Sequence, residues 1–233
     1  MEIINLSNIE EIKKKLKNNK HPFIEEIRKY EIEGYHYMKY YRMNTIFRNG
    51  ILPLNKKGVR IIKANVKSDY SKESDKIERK FRKYEKEELD REIEGRSGCV
   101  SFSPSNDQCN NRMQEILDYY GGETIGKYFK DIFDDNMREK LLKMGKPIIV
   151  KFYFKYDQLC DRSRVFVEDF LKKLEKNDMK NIEKLKENIE NELRIQGGIP
   201  ANKIQGYYYI IKDSDGNFER WKFHKRYFSN RMN

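Results

Sequence analysis

The chain has 233 residues, of which 37% are hydrophobic and 37% are charged, and its 49 Lys and Arg against 38 Asp and Glu give a net charge of +11. This length suits one sizeable domain, and the 13% aromatic content argues against a disordered chain. The positive charge favours an anionic partner such as nucleic acid or a nucleotide, although solvent-exposed helices would account for much of it equally well. No apolar run is long enough to cross a bilayer, so we expect a soluble protein without a membrane partner.

The cysteines predict a reducing environment. Cys99, Cys109 and Cys160 form an odd set that contains no Cys-x-x-Cys pair and follows no secretory signal. We therefore expect free thiols and a cytoplasmic location.

An N-terminal helical segment, residues 1–30, is predicted to open the chain. Ser7 lies three residues before Glu10, which is the spacing of a capping box, and apolar residues then recur at helical intervals. After this segment we predict a strand, an amphipathic helix that ends at Gly50, and a second strand. Their sequences are GYHYMKY, YRMNTIFRNG and VRIIKANV.

A charged helical insertion, residues 69–94, is predicted next. It has few apolar residues, and its Glu and Lys neighbours are three and four positions apart, as on a solvent-exposed helix. A compact strand, GCVSFS, follows it. Two helices that end at glycines come after this strand, with the sequences NDQCNNRMQEILDYYGG and TIGKYFKDIFDDNMREKLLKMG.

The most apolar run of the chain, KPIIVKFYFKY, is predicted to be the central strand. A helical stretch, VEDFLKKLEKNDMKNIEKLKENI, leads into three final strands, with a turn at SDGN before the last of them. These strands are ENELRI, GYYYIIKD and FERWKF. The order of elements predicts a single α+β domain over residues 1–233, with a split mixed or antiparallel sheet.

Three short polar motifs lie on the predicted strands. His36 lies between Tyr35 and Tyr37, two serines alternate in Ser101-Phe102-Ser103, and two glutamates alternate in Glu190-Asn191-Glu192. Taken singly, each has a structural explanation: a hydrogen-bonded core histidine, ordinary strand alternation, and two exposed carboxylates on one strand face. Their order along the chain is more informative than any one of them.

In this order the motifs resemble the ADP-ribosyltransferase superfamily, particularly its diphtheria-toxin-like and poly(ADP-ribose)-polymerase-like branch. That family has an aromatic-His motif on its first strand, a helix ending in an Ile-and-Gly phrase, an aromatic or Ser-Thr-Ser strand motif, and a late Glu-x-Glu strand followed by Ile-Pro. The matching segments are Tyr35-His36-Tyr37, Ile46-Phe47 with Gly50-Ile51, Ser101-Phe102-Ser103, Glu190-Asn191-Glu192, and Ile199-Pro200 with Ile204. They cover roughly a fifth of the chain.

The resemblance implies an ADP-ribosyltransferase-like fold and transfer of ADP-ribose from NAD. Glu192 would stabilise the oxocarbenium-like charge that develops as the bond between nicotinamide and ribose breaks. Glu190, two residues earlier on the same strand face, would orient or deprotonate the acceptor, although a surface carboxylate explains it equally well. His36 would donate a hydrogen bond to a ribose hydroxyl while Tyr37 packs beside the dinucleotide.

By the same resemblance, the serine motif would support the NAD-binding cleft, and it does not supply the ring that stacks on nicotinamide. Ser101 and Ser103 would brace the cleft or the glutamate, because both hydroxyls face one side of their strand. In the His-Tyr-Glu branch of the family, an aromatic residue stands where this chain has Ser101. The ring that stacks on nicotinamide would then come from Tyr119, Tyr120 or Tyr128, with Tyr120 as the candidate.

Other chemistries have weaker support in the sequence. His21, His36 and His224 are far apart, and the cysteines lack ligand spacing, which argues against a metal site. No GxGxxG or GxxxxGK[ST] loop is present to bind a dinucleotide or a triphosphate in the commonest ways. A two-carboxylate nuclease centred on Asp107 and Glu123 remains compatible with the composition.

A competing interpretation is a non-catalytic, basic nucleic-acid-binding module. The C-terminal segment NFERWKFHKRYFSNRMN interleaves aromatic rings with basic residues, which suits stacking on unpaired bases and contact with phosphates. The basic residues are Arg220, Lys222, Lys225, Arg226 and Arg231. Packing of one strand face against a core explains most of the rings as well, and in an enzyme the segment would hold a nucleic-acid acceptor.

We therefore expect an enzyme that transfers ADP-ribose from NAD to DNA, RNA or protein. From the family resemblance and the Lys/Asn/Ile-rich composition we expect it to act as a toxin, effector or defence component, with an antitoxin or inhibitor protein as a further partner.

Overall fold

The computed structural model describes residues 2–17, 21–40, 43–53, 56–87, 98–105, 139, 142–191, 193–212 and 218–225. The strands are β1 (Ile3–Ile4), β2 (Glu31–Tyr40), β3 (Cys99–Phe102), β4 (Lys146–Phe154), β5 (Leu193–Gln196), β6 (Ile204–Lys212) and β7 (Phe218–Lys225). The α-helices are α1 (Ile9–Leu16), α2 (Phe23–Glu26), α3 (Met43–Asn49), α4 (Lys56–Asp69), α5 (Ser74–Glu87), α6 (Asp161–Glu175) and α7 (Met179–Asn191). Short 3₁₀ helices span Ile27–Lys29, Ser71–Glu73, Tyr156–Gln158 and Ala201–Lys203.

A five-stranded sheet has the order β1-β2-β4-β6-β7. The pairing of β1 with β2 is parallel, and the other pairs are antiparallel, so the sheet is mixed. The α+β class and the mixed sheet are therefore confirmed. β4 lies in the middle of the sheet, as its apolar run predicted.

β4 is central because it is buried on both faces. Ile148, Val150 and Phe152 alternate toward one face, and Ile149 lies on the other; each is at most 1% exposed. Burying alternate and intervening positions together requires apolar neighbours on both faces of the sheet, which the middle strand of this sheet has. We call the side of Val150 the first face and the side of Ile149 the second face.

A two-stranded sheet of β3 and β5 lies beside the larger sheet. The two sheets meet where Tyr35 of β2 pairs with Ser103, directly after β3, through backbone hydrogen bonds of 2.8 and 2.9 Å. Val100 and Phe102 of β3 turn into the main core. This junction brings the serine motif next to the histidine motif.

Helices cover the first face. Buried side chains of α1, α6 and α7 join those of β2, β4 and β5 in one apolar cluster. The helix cap of α1 lies one residue later than the predicted capping box: Asn8 accepts a hydrogen bond from the backbone N–H of Glu11 at 3.0 Å, and the Ser7 hydroxyl donates to Asn5 instead. The predicted N-terminal helical segment also contains a short strand, β1.

The predicted strand VRIIKANV is wrong, because this segment belongs to α4. Its β-branched residues favoured a strand, but Ile62 and Val66 are four positions apart, which places them on one side of a helix. Val66 is fully buried. Tertiary packing of this side outweighs the small propensity cost of β-branched residues in a helix.

The predicted charged helix at 69–94 is partly correct. Its described part forms the turn Ser71–Glu73 and the helix α5, and residues 88–97 lie outside the described residues. The helix is not exposed all round, since Ile77 and Phe81 are at most 2% exposed. The side chain of Glu78 lies 2.9 Å from the amines of both Lys63 and Lys67, so α4 and α5 form an ion-paired hairpin.

The predicted helical stretch before the final strands divides into two helices. Asn177, with a φ of 54°, separates α6 from α7 in the left-handed conformation that asparagine tolerates better than most residues. The predicted strand ENELRI is wrong in its first half, because α7 continues through Asn191 and β5 begins only at Leu193.

The prediction of free thiols is wrong for Cys99 and Cys160, which form a disulfide across 61 positions of the chain. The bond connects the first residue of β3 to the residue that precedes α6. It therefore constrains the unfolded chain over a long loop and ties the smaller sheet to the helical layer. Cys109 lies outside the described residues.

Other predictions also fall outside the described residues. They concern most of the two helices predicted between residues 106 and 145 and the turn at SDGN. In the part of the chain that the structure describes, no helix combines the length and the apolar character needed to span a membrane.

Candidate functional site

His36 lies on β2 at the junction of the two sheets. A glycine two residues earlier makes this junction possible: a Cβ on Gly34 would lie 2.7 Å from Phe152 and 2.9 Å from Phe102. Because Gly34 has none, Phe102 can pack against β2 and draw β3 close. The Nδ1 atom of His36 then lies 2.7 Å from the backbone carbonyl oxygen of Ser101.

This contact determines which nitrogen of His36 carries the proton. A carbonyl oxygen can only accept, so Nδ1–H donates to Ser101. Burial lowers the pKa of His36 from its ordinary value, and the hydrogen bond to Ser101 opposes this shift without overcoming it. The ring is therefore neutral near pH 7 and presents Nε2 as an acceptor, which reverses the donor role that the sequence suggested.

The two serines brace the junction in different ways. Ser101 lies on β3 opposite Arg194 of β5, and its carbonyl orients His36. Ser103 is only 1% exposed, and its hydroxyl oxygen accepts a hydrogen bond from the backbone N–H of Ser105 at 3.1 Å. The hydroxyl of Ser103 thus stabilises the chain just after β3.

Tyr37 does not accompany His36. Successive side chains of a strand point to opposite faces, and Tyr37 packs on the second face with Tyr35, Ile149 and Ile210. Its hydroxyl donates to the backbone carbonyl oxygen of Ser105 at 3.0 Å. A contact between Tyr37 and a ligand bound at His36 would have to cross the sheet, so the structure separates these two predicted residues.

The predicted pair of glutamates is not a pair on one strand. Glu190 belongs to the last turn of α7, and Glu192 lies outside the described residues. Leu193, the next residue in the chain, starts β5 and pairs with Phe102. The expectation that Glu190 and Glu192 share a strand face is therefore wrong.

The strand that follows Glu192 is held firmly beside the junction. Arg194 pairs with Ser101 on one side. On the other side, its backbone N–H donates to the hydroxyl of Ser163 at 2.8 Å, and its carbonyl accepts from the backbone N–H of Cys160 at 3.0 Å. Arg194 is partly exposed, and sequence reasoning did not single it out.

The two Ile-containing phrases of the family resemblance meet in space. Ile51 and Ile199 exchange two backbone hydrogen bonds of 2.9 Å each. Gly50 makes this approach possible, since its φ is 77° and a Cβ there would lie 2.1 Å from the carbonyl oxygen of Ile199. The end of α3 is therefore joined to the loop between β5 and β6.

A cluster of rings on the first face was missed by the sequence motifs. Tyr207 and His224 stack with a centroid separation of 5.2 Å and an interplanar angle of 12°, and Tyr209 contacts both rings edge-on at 5.1 and 4.9 Å. We call these three residues the ring cluster. Phe47 of α3 packs against Tyr207 at 5.8 Å, and Tyr40 packs against Tyr209 at 6.4 Å.

The ring cluster and His36 share the first face of the sheet. Val150 of β4 pairs with His36 on one side and with Tyr207 on the other, and Tyr207 pairs with His224. Directly paired residues point to the same face, and two strand spacings amount to about 10 Å. The sequence signal that could have indicated the ring cluster is the run of three tyrosines in GYYYIIKD. Only the first and third of these tyrosines lie on the first face.

The tyrosine hydroxyls of this region are electrostatically connected. Hydrogen bonds from Tyr207 and Tyr40 lower the pKa of Tyr209, burial opposes the shift, and the nearby Lys146 amine adds to it. Burial, followed by the contact with Tyr209, raises the pKa of Tyr207 to about 12. At neutral pH these hydroxyls are protonated and can donate hydrogen bonds.

The remaining sequence candidates lie outside the described residues. They are Tyr119, Tyr120 and Tyr128, considered for stacking on nicotinamide, and Asp107 and Glu123, considered for a two-carboxylate nuclease. Among the residues that are described, no group of three or more His, Cys, Asp or Glu side chains could hold a metal ion. For binding and orientation, the described site offers a neutral imidazole, aromatic rings and cationic side chains.

Comparisons with known proteins add little to this geometry. No protein-family model matches the chain, and no curated protein matches it. Among solved structures the chain is similar to one named EcPltA, with a TM-score of 0.37 and 9% identity over 83% of this chain and 84% of that chain. Likeness at this level supports no conclusion about fold family or function.

Proposed function

We propose that this protein transfers ADP-ribose from NAD to a macromolecular acceptor, a nucleic acid or a protein, through an ADP-ribosyltransferase-like split sheet. One observation carries the proposal: His36 is neutral and is held through Nδ1 by the Ser101 carbonyl, at the point where the histidine and serine motifs come together. An imidazole fixed in this way offers Nε2 to a ribose hydroxyl. Because the ring is neutral, it binds the hydroxyl without competing as a strong base.

The residues present fit a dinucleotide substrate. His36 would accept a hydrogen bond from a ribose hydroxyl, Phe47 would provide aromatic surface, and Arg194 would offer a cation to the pyrophosphate. Because Ser101 stands where the family has an aromatic residue, the ring that stacks on nicotinamide would be that of Tyr120.

In the proposed reaction, the bond between the nicotinamide nitrogen and ribose C1′ breaks and nicotinamide leaves with the bonding electrons. A nucleophilic atom of the acceptor forms the new bond to C1′ and loses its proton to solvent. Glu192 would stabilise the positive charge that develops on the ribose in between. Glu190 is not given the acceptor-activating role, because that role depended on a shared strand face.

The biological setting belongs to the same proposal. An enzyme that modifies macromolecules suits a toxin, effector or defence component. A cell that produces such an activity needs to restrain it, so an antitoxin or inhibitor protein is the partner we expect.

The proposal is tested by incubating the protein with labelled NAD and mixed cellular RNA, DNA and protein. We expect label to appear in one class of acceptor, and Glu192→Gln to remove most of the turnover while NAD binding persists, because size is retained and charge is lost. Glu190→Gln is the matched control, since it makes the same change two residues away on α7, and it should keep most of the turnover. Full activity of Glu192→Gln, or no label in any acceptor, would overturn the proposal.

A second variant tests the histidine. His36→Ala should weaken NAD binding by more than it lowers the thermal stability of the domain. Intact NAD affinity together with a large drop in melting temperature would show that His36 serves only the core.

A further inference from the structure

The ring cluster lies at the end of the described sheet and is not closed off as a core would be. Tyr207, Tyr209 and His224 are each partly exposed, although they pack against the main apolar cluster or against one another. A fully buried cluster would serve stability alone. Rigid rings that remain partly exposed offer edges and faces to a planar ligand.

The rings are accompanied by cations on the same face. Lys222 is exposed and directly precedes Phe223, which pairs with Tyr208 and points away from the ring cluster. Successive residues of a strand point to opposite faces, so Lys222 lies on the side of the cluster, at the β-bulge where the register of β7 against β6 shifts. Lys146, at the start of β4, is exposed and lies near Tyr209. The sequence of β6 contains no acidic residue that would oppose them.

The opposite face of the same two strands has a different character. Phe223 packs on Tyr208 at 4.7 Å and covers Gly206, where a Cβ would lie 2.7 Å from its ring. Lys225 follows Phe223 by two positions and therefore belongs to this second face. The interleaved aromatic and basic residues of the C-terminal segment are thus divided between two faces, and only one set lies on the side of His36.

We propose that the ring cluster, with Lys222 and Lys146, is a binding surface for single-stranded nucleic acid, whose bases stack on the rings and whose phosphates meet the lysines. Single strands are favoured over duplexes because a paired base already stacks on its neighbours and cannot offer its face to the protein. The net charge of +11 supports an anionic partner of this kind. If the proposed transferase function holds, the bound strand is its acceptor, since the cluster lies about 10 Å from His36 across β4.

The binding test needs no NAD. Affinity for a short fluorescent oligouridine, for oligothymidine and for a duplex of equal length is measured by anisotropy over a range of salt concentrations. We expect both single strands to bind at least about tenfold more tightly than the duplex, and Tyr209→Leu to weaken their binding by about tenfold. Equal affinity for the duplex would overturn the proposal.

Two exposed lysines provide a matched pair whose substitution does not endanger folding. Lys222→Gln should reduce the slope of log affinity against log salt by about 0.7, the value for one phosphate contact on a single strand. Lys225→Gln, three residues away on the other face, should leave the slope unchanged. Equal effects of the two substitutions, or no effect of Lys222→Gln, would show that this face is not the binding surface. Binding of cellular proteins without binding of either single strand would also overturn the proposal.

A separate assay distinguishes failure of this surface from failure of the transferase proposal. Hydrolysis of NAD, with water as acceptor, depends on the donor site alone. Loss of single-strand preference with intact NAD hydrolysis would refute the surface and leave the transferase standing. Single-strand binding without NAD hydrolysis would support the surface and indicate a binding module.

Discussion

The two faces of the five-stranded sheet are held together by different forces, although β2 contributes alternate residues to both. On the first face, Ile32 and Gly34 meet apolar side chains and rings. On the second face, Glu33 and Tyr35 take part in a charged network. The ten residues of β2 therefore take part in apolar packing on one face of the sheet and in pairing of charges on the other.

The first face depends on close ring packing. Phe102 of β3 packs edge-on against Phe152 and Phe154 of β4, with centroid distances of 5.6 and 4.8 Å. These contacts attach the smaller sheet to the larger one. They also place the Ser101 carbonyl beside His36, so the geometry of the site depends on apolar packing.

The second face is organised around Glu33. Its carboxylate accepts hydrogen bonds from the Asn5 amide at 3.1 Å and from the Tyr35 hydroxyl, and it lies 2.5 Å from the Lys151 amine. The Lys151 amine also lies 5.8 Å from the ring centroids of Tyr35 and Tyr153. Side-chain exposure is only 12% for Glu33 and 20% for Lys151, so each charge relies on its partner rather than on water.

Successive side chains of a strand point to opposite faces. A single strand can therefore carry a binding role on one face and a structural role on the other. The contribution of the first face to stability should depend on the volume of its buried side chains. The contribution of the second face should depend on the charges of Glu33 and Lys151.

The largest expected effect comes from the first face. Phe152→Ala removes a fully buried ring that contacts two others and should lower the free energy of unfolding by about 4 kcal/mol. Ile149→Val on the second face is the conservative comparison, at about 1 kcal/mol. Both are measured by urea denaturation, and a smaller effect at Phe152 than at Ile149 would contradict the assignment of the core.

The charged network should give the next largest effect. Glu33→Gln leaves Lys151 partly buried without its counter-charge and should cost about 3 kcal/mol. The double variant Glu33→Gln with Lys151→Met removes both charges and should recover part of this loss. If the double variant is less stable than the sum of the single variants, the pairing does not hold the second face.

Two tyrosine hydroxyls allow a direct comparison of the faces. Tyr35→Phe removes a buried donor to the Glu33 carboxylate and should cost about 2 kcal/mol. Tyr207→Phe removes a partly exposed hydroxyl that donates to Tyr209 over 3.4 Å and should cost about 0.5 kcal/mol. Thermal melts of the two variants at equal pH should rank them in this order, and the reverse order would show that the ring cluster, and not the Glu33 network, depends on its hydroxyls.

An effect smaller than that of Tyr35→Phe concerns pH and His36. Because the pKa of His36 is lower in the folded state than its ordinary value of 6.5, the unfolded chain binds more protons as the pH falls through that value. The wild type should therefore lose about 1 kcal/mol between pH 7 and pH 5.5 relative to His36→Asn, whose amide can still donate to Ser101. Unfolding measured at both pH values checks this.

If the stability of His36→Asn changes with pH as that of the wild type does, the imidazole is not held neutral by burial.

The sequence predicted well those elements whose pattern has one explanation. The apolar run of β4 and the alternation of β2 required strands, and the spacing around α1 required a helix, so these elements are confirmed. The segment VRIIKANV has β-branched residues and a helical spacing at once, and only packing of Val66 decides between them. The strand that was expected to contain Glu190 fails for a related reason, since the helical period of α7 continues to Asn191.

What the sequence determined by itself is the α+β class and the central position of β4. Only the tertiary structure decided that Cys99 pairs with Cys160, that Tyr37 faces away from His36, that Nε2 of His36 is an acceptor, and that Tyr207 and His224 belong to the same face as His36. The physical reason is that periodicity is a local property of the chain. Strand register, the partner of a hydrogen bond and the approach of two cysteines depend on residues far apart in sequence, which meet only when the sheets pack.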